Sequence, residues 1–171
     1  MCVHACLYLL CRCGKTTKQY SHNMCCIGKS QLVSLDSSVA GLVHSACEFI
    51  PERERKFWRL QFKNSVYFSL DYSRTHARNS YTVCFGENQF GIIQYFLEVS
   101  DRMCNSTCVL AVVNVLSVES YHNLPHLYLC RTTSIFKAIH ADTLNYKCVY
   151  VALCGTQFIG VFPSRIISLL S

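Results

Sequence analysis

A chain of 171 residues that is 51% hydrophobic and 15% charged carries one domain's worth of sequence and ample apolar material for a packed core, which excludes disorder over its whole length. Mean hydropathy is +0.21, yet no stretch of about 18 uninterrupted apolar residues occurs, so a conventional membrane-spanning helix is not expected. The net charge of +6 is unevenly placed: residues 1–29 carry four basic and no acidic side chains, residues 30–52 three acidic and no basic, residues 53–78 seven basic against two acidic, and the remainder five against five. A basic patch of this kind raises the local concentration of anionic partners such as nucleic acid or an acidic protein segment.

Residues 1–26 read as a cysteine-rich leader, poorly ordered, ahead of a single β-rich domain over residues 27–171. Residues 1–11 are apolar but carry His4 and no preceding basic region, so they do not match a secretory signal. Six of the thirteen cysteines fall in the leader: Cys2, Cys6, Cys11, Cys13, Cys25 and Cys26. Tetrahedral zinc needs pairs of ligands two to four residues apart, joined by a loop. Cys11 and Cys13 are too tight for that, Cys25 and Cys26 are adjacent, and Cys2 with Cys6 lie in an apolar run, so no metal site is assigned. An odd count cannot pair completely within one chain. Cys84, Cys148 and Cys154 sit in apolar runs as small buried hydrophobes, which suits reduced thiols in an intracellular and, given the basic patch, nuclear setting. Cys104 and Cys108 flank a glycosylation sequon at Asn105 and could bridge locally only under oxidising conditions.

Beyond the leader, residues 31–35 (QLVSL) alternate as a short strand. Asp36, Ser37 and Ser38 supply a helix N-cap ahead of Val39, Leu42, Val43 and Ala46, whose spacing of three and four predicts two to three helical turns. Pro51 and the following Glu52, Arg53, Glu54 and Arg55 predict a charged loop. The period then changes to two. Residues 57–62 and 66–70 form a first hairpin turning at Asn64 and Ser65, and residues 81–85 and 90–99 a second turning at residues 86–89. Alternation sets Ile92, Gln94 and Phe96 on one face and Ile93, Tyr95 and Leu97 on the other, and apolar residues on both faces place this second hairpin centrally in the sheet. Apolar runs at 108–118, 127–130, 136–139, 148–153 and 158–162 bring the total to nine or so strands. No βαβ rhythm is present. The fold class is therefore mainly β, α+β at most: a small barrel or sandwich with one N-terminal helix.

Three segments in this order carry a resemblance: residues 72–83 (YSRTHARNSYTV), residues 90–97 (FGIIQYFL), and residues 147–158 (KCVYVALCGTQF) followed by Phe162, Pro163 and Ser164. They resemble the C-terminal β-rich module of transposon-derived, transposase-domain-containing invertebrate proteins, over residues 27–166. The sequence departs from that pattern at Phe90, where a tyrosine is usual. The resemblance implies an accessory module of the SH3-like or BAH-like barrel type, without the acidic catalytic core of a transposase.

Other chemistries fare poorly. Gly14-Lys15-Thr16 and Gly28-Lys29-Ser30 look like the ends of phosphate-binding loops, but Leu9 and Asn23 stand where the first glycine must be. No cysteine occupies a recognisable nucleophile motif and the acidic residues are scattered, so the chain is expected not to be an enzyme and no cofactor is assigned. His122 and His126 form a pair without a third ligand. What remains is the run of Arg53, Arg55, Lys56, Arg59, Lys63, Arg74 and Arg78, interleaved with Trp58, Tyr67, Tyr72 and Tyr81. Strand alternation places Phe57, Arg59 and Gln61 on one side and Trp58, Leu60 and Phe62 on the other, so Arg59 and Lys63 point outward and Trp58 inward. Arg59, Lys63, Arg74 and Arg78 are the candidate nucleic-acid-binding residues, the last two in a loop between the hairpins. The expected function is a non-enzymatic binding module derived from a mobile element, nucleic-acid or chromatin associated. The alternatives are a protein-interaction domain that recruits a strand to an exposed sheet edge, and a degenerate reading frame without selected activity.

Overall fold

The computed structural model describes residues 17–21, 23–47, 49, 51–73, 81–101, 107–122 and 124–161. In chain order its elements are β1 (Thr17–Ser21), β2 (Met24–Ile27), β3 (Gln31–Val33), α1 (Ser37–Ala46), β4 (Pro51–Phe57), β5 (Arg59–Phe62), β6 (Ser65–Phe68) and the single turn α2 (Leu70–Ser73). There follow β7 (Thr82–Phe85), β8 (Gln89–Asp101), β9 (Thr107–Tyr121), β10 (Leu124–His140), β11 (Leu144–Lys147), β12 (Val149–Leu153) and β13 (Thr156–Gly160). Four strands form a small sheet in the order β1-β2-β5-β6. Nine form a large one in the order β11-β7-β8-β9-β10-β13-β12, with β4 paired to β8 and β3 to β4.

The large sheet is covered on both faces. On one, Cys26, Leu60, Phe62 and Tyr67 of the small sheet pack with Phe57, Ile93, Phe96 and Val113. On the other, Val43 of α1 packs with Leu97, Val99, Leu110 and Val112. α1 begins where its sequence dictates: the Asp36 carboxylate accepts the Val39 backbone N–H at 2.9 Å and the Ser38 hydroxyl at 2.6 Å, the N-cap arrangement that satisfies an otherwise orphaned donor. The fold class is thus mainly β with one short helix.

Of the expected barrel or sandwich, the closed barrel does not form. β11 and β12 follow one another in the chain yet stand at opposite edges of the large sheet, joined through Cys148, whose backbone N–H donates to the Thr82 carbonyl at 2.9 Å. The sheet curls around Cys84, Phe90, Leu116, Cys148 and Ile159 without closing. Closure needs a continuous ladder between edge strands, and here the chain leaves β7 at Lys147 and joins β13 at Val149 instead.

Four local expectations change. β1 and β2 belong to the small sheet, with Cys26 fully buried, so the folded body starts before residue 27; residues 1–16 lie outside the described residues. The expected charged loop after Pro51 is β4, laid along the second half of β8 because that strand, 13 residues long, outruns β7. Phe57 is buried despite sharing alternation with Arg59, since Trp58 is a bend that hands the chain from the large sheet to the small one and restarts the period; Trp58 itself is only half-buried. Finally, an irregularity between Ile93 and Tyr95 inserts an extra residue at Gln94, which reverses alternation and puts Ile93 on the same face as Phe96. The central position expected for the second hairpin holds, with β8 flanked by β7 and β4 on one side and β9 on the other. Close approach explains Gly91: a Cβ there would lie 3.0 Å from the Asn114 carbonyl oxygen and 3.0 Å from the Phe85 ring.

Candidate functional site

The described cations of residues 53–63 divide into two groups. Lys56 and Arg59 are held against the body of the protein. The Lys56 ammonium lies 4.1 Å from the centre of the Tyr95 ring and 3.8 Å from the Asp71 carboxylate. The Arg59 guanidinium sits 4.8 Å from the Tyr72 ring centre and covers Gly28 so closely that a Cβ there would meet its Nη2 at 2.8 Å. Such contacts place these two side chains in cation–π packing. Arg53, Arg55 and Lys63 are exposed, Lys63 on a positive-φ turn beside Phe62. Arg74 and Arg78 lie outside the described residues.

Two of the buried thiols are poor nucleophiles. Burial pushes Cys130 up to about 11 and Cys148 up to about 12, so both stay protonated at neutral pH. Cys154, expected in the core, is exposed at the β12–β13 turn, where it and Gly155 both adopt positive φ (49° and 79°), as a two-residue hairpin requires. Among the described residues no group of three or more His, Cys, Asp or Glu side chains is placed to hold a metal ion. One charged pair is internal: Lys18 of β1 bonds to Glu98 of β8 across the two sheets, and Glu98 is buried. Burial, with the Glu98 carboxylate next in effect, pushes the Tyr20 phenol well above its usual range.

A cavity of about 470 Å³ opens between α1 and the large sheet, with Val39, Leu42, Val112 and Phe136 as its apolar lining and Lys56 and Asp71 among its polar groups. Phe136 reaches it through a bulge in β10, where residues 132–136 face only Leu116 to Asn114 of β9. The Asn114 side chain repairs this interruption by donating to the Thr133 and Ile135 carbonyls at 2.8 and 3.2 Å.

β12 carries three exposed apolar side chains on one strand. Its sequence, VYVAL, has no charge and no proline, and Val149, Val151 and Leu153 are 40%, 38% and 59% exposed. They share a face with Phe158, opposite Val151 on β13, and with Leu129, opposite Phe158 on β10. Natural edge strands are usually blunted by a charge, a proline or a bulge, and β12 pairs with β13 in unbroken register over all five residues. The hairpin geometry also fixes the outward groups. Leu153 and Thr156 flank a two-residue turn and so form a hydrogen-bonded pair, which makes Val151 and Phe158 the next such pair and turns the Ala152 N–H and C=O away from β13. The sequence alone marks residues 148–153 only as an apolar run. The available signal was apolar side chains at both parities of a strand, a pattern shared by a central strand and an unguarded edge.

Comparison with protein-family models, with curated proteins and with solved structures finds no match.

Proposed function

We propose that the chain is a non-enzymatic protein-interaction module that takes up an extended, uncharged segment of a partner protein along β12, lengthening the large sheet by one strand. The observation that carries this reading is an apolar strand with no neighbour beyond it among the described residues: Val149, Val151 and Leu153 are exposed, and the backbone groups of Ala152 point away from β13. Strand addition draws affinity from main-chain hydrogen bonds and specificity from alternate side chains, and both are present there.

A second reading, nucleic-acid or chromatin-associated binding by a module carried over from a mobile element, draws on the exposure of Arg53, Arg55 and Lys63. The Arg59 contact with Tyr72 gives that side chain a packing role of its own, so Arg59 adds no support to this reading.

One experiment separates the two. A panel of eight-residue valine- and isoleucine-rich uncharged peptides and a labelled single-stranded oligonucleotide are titrated at low and high salt by fluorescence anisotropy. Strand addition predicts peptide binding that barely changes with salt and falls about tenfold or more in Val151→Lys and Ala152→Pro, the latter removing only an outward N–H. Oligonucleotide binding that collapses with salt, with no peptide bound, would replace this reading by the second.

A further inference from the structure

We infer that Cys47 and Cys108 are a disulfide-forming pair that locks the C-terminal end of α1 onto β9. Their sulfurs lie 3.5 Å apart, although the residues are 61 positions apart in the chain. Cys47 is the C-cap of α1, its backbone N–H donating to the Val43 carbonyl at 2.9 Å, and Cys108 is the second residue of β9, opposite Val99 of β8. Both therefore sit where regular elements end, so the sulfurs can approach the bonding distance of about 2.05 Å by side-chain rotation and a small shift of the last helical turn. A second contact already holds that turn in place: the His140 ring nitrogen meets the Ala46 carbonyl at 2.9 Å. Cys104, the nearer partner in sequence, lies outside the described residues, and the tertiary fold supplies Cys47 in its stead.

The chemistry starts at Cys108, which is half-buried, whereas Cys47 is buried. With a peroxide as oxidant, the Cys108 thiolate attacks one peroxide oxygen, the O–O bond breaks, and a sulfenic acid and water result. The Cys47 thiolate then attacks that sulfur and expels the second water. In sum, two thiols and one hydrogen peroxide give one disulfide and two waters. Burial pushes the Cys108 thiol up to about 12 and raises Cys47 as well, so the reduced pair is long-lived at neutral pH and oxidises through a small thiolate fraction. The bond would fix α1, which supplies Val39 and Leu42 to the 470 Å³ cavity, against β9, which supplies Val112. Oxidation thereby sets the rigidity of one cavity wall.

The test uses the reduced full chain, treated with hydrogen peroxide, alkylated and digested with trypsin. The fragment of residues 30–53 contains Cys47 as its sole cysteine, while that of residues 103–131 contains Cys104, Cys108 and Cys130. The two fragments should appear cross-linked, remain so in C104S, and separate in C108S and after dithiothreitol. Oxidised wild-type protein should melt higher than reduced by on the order of 5–10 °C, because a long loop is closed in the unfolded chain. C108A serves in place of C108S should a serine hydroxyl perturb folding. Absence of the cross-link in wild-type protein whose other cysteines are oxidised, or its persistence in the Cys108 variants, would overturn the assignment.

Discussion

Phe96 has no exposed surface and contributes to the layer where β8 faces the small sheet. Truncation to alanine leaves a cavity that rigid strands on both sides cannot fill, so Phe96→Ala should cost about 3–5 kcal/mol in urea unfolding; a loss below about 1 kcal/mol would mean the strand repacks freely. Three thiols shielded from solvent in whole or part make a second prediction. Cys108, Cys130 and Cys148 have folded-state values of about 12, about 11 and about 12, above the ordinary thiol value that the unfolded chain regains. Below that ordinary value both states hold the protons and the stabilisation is complete. As pH rises from about 9, the unfolded chain loses protons that the folded chain retains, so stability falls progressively toward pH 11–12. Reduced protein should show a melting temperature that declines across this window, and Cys130→Ala and Cys148→Ala should each flatten the decline.

At the scale of elements, the two strand irregularities decide which side chains face which layer. The bulge at Gln94 turns Ile93 and Phe96 to the same face, and the longer one in β10 brings Phe136 to the cavity. Asn114 is buried and spends its amide on two carbonyls that the β10 bulge leaves without ladder partners. Asn114→Ala should therefore cost about 0.5–1.5 kcal/mol, the net worth of hydrogen bonds to part-buried acceptors. Amide exchange should accelerate at residues 133–136 before it does so elsewhere in β10; uniform exchange along the strand would show that Asn114 has no local role. α1 behaves differently, because its start is a local affair: Asp36 and the three-four spacing suffice, and the helix begins at Ser37.

At the scale of the molecule, the large sheet needs a cover on each face, and the small sheet is one of them. Cys26 and Ile27 of β2 are buried in that arrangement, and Lys18 of β1 neutralises the buried Glu98. Deleting residues 1–27 should thus lower the melting temperature sharply, both by uncovering Leu60 and Phe62 and by leaving a carboxylate buried without its cation. An unchanged melting temperature would mean that the small sheet holds with β5 and β6 alone.

Local chemistry, legible in the sequence, determined the mainly β class, the single helix with its Asp36 cap, both hairpins and the central place of β8, because turn residues, capping side chains and period-two patterns act over a few residues. What the tertiary structure decided depends on partners remote in the chain. Whether the apolar run at Val149–Leu153 is core or edge turns on which strand lies beyond it, and none among those described does. The contact of Arg59 with the Tyr72 ring, and that of Cys108 with Cys47, likewise depend on where remote elements dock. Side-chain alternation is a local rule with a parity, and a single inserted residue such as Gln94 inverts it. Only the ladder with the neighbouring strand fixes where that insertion falls.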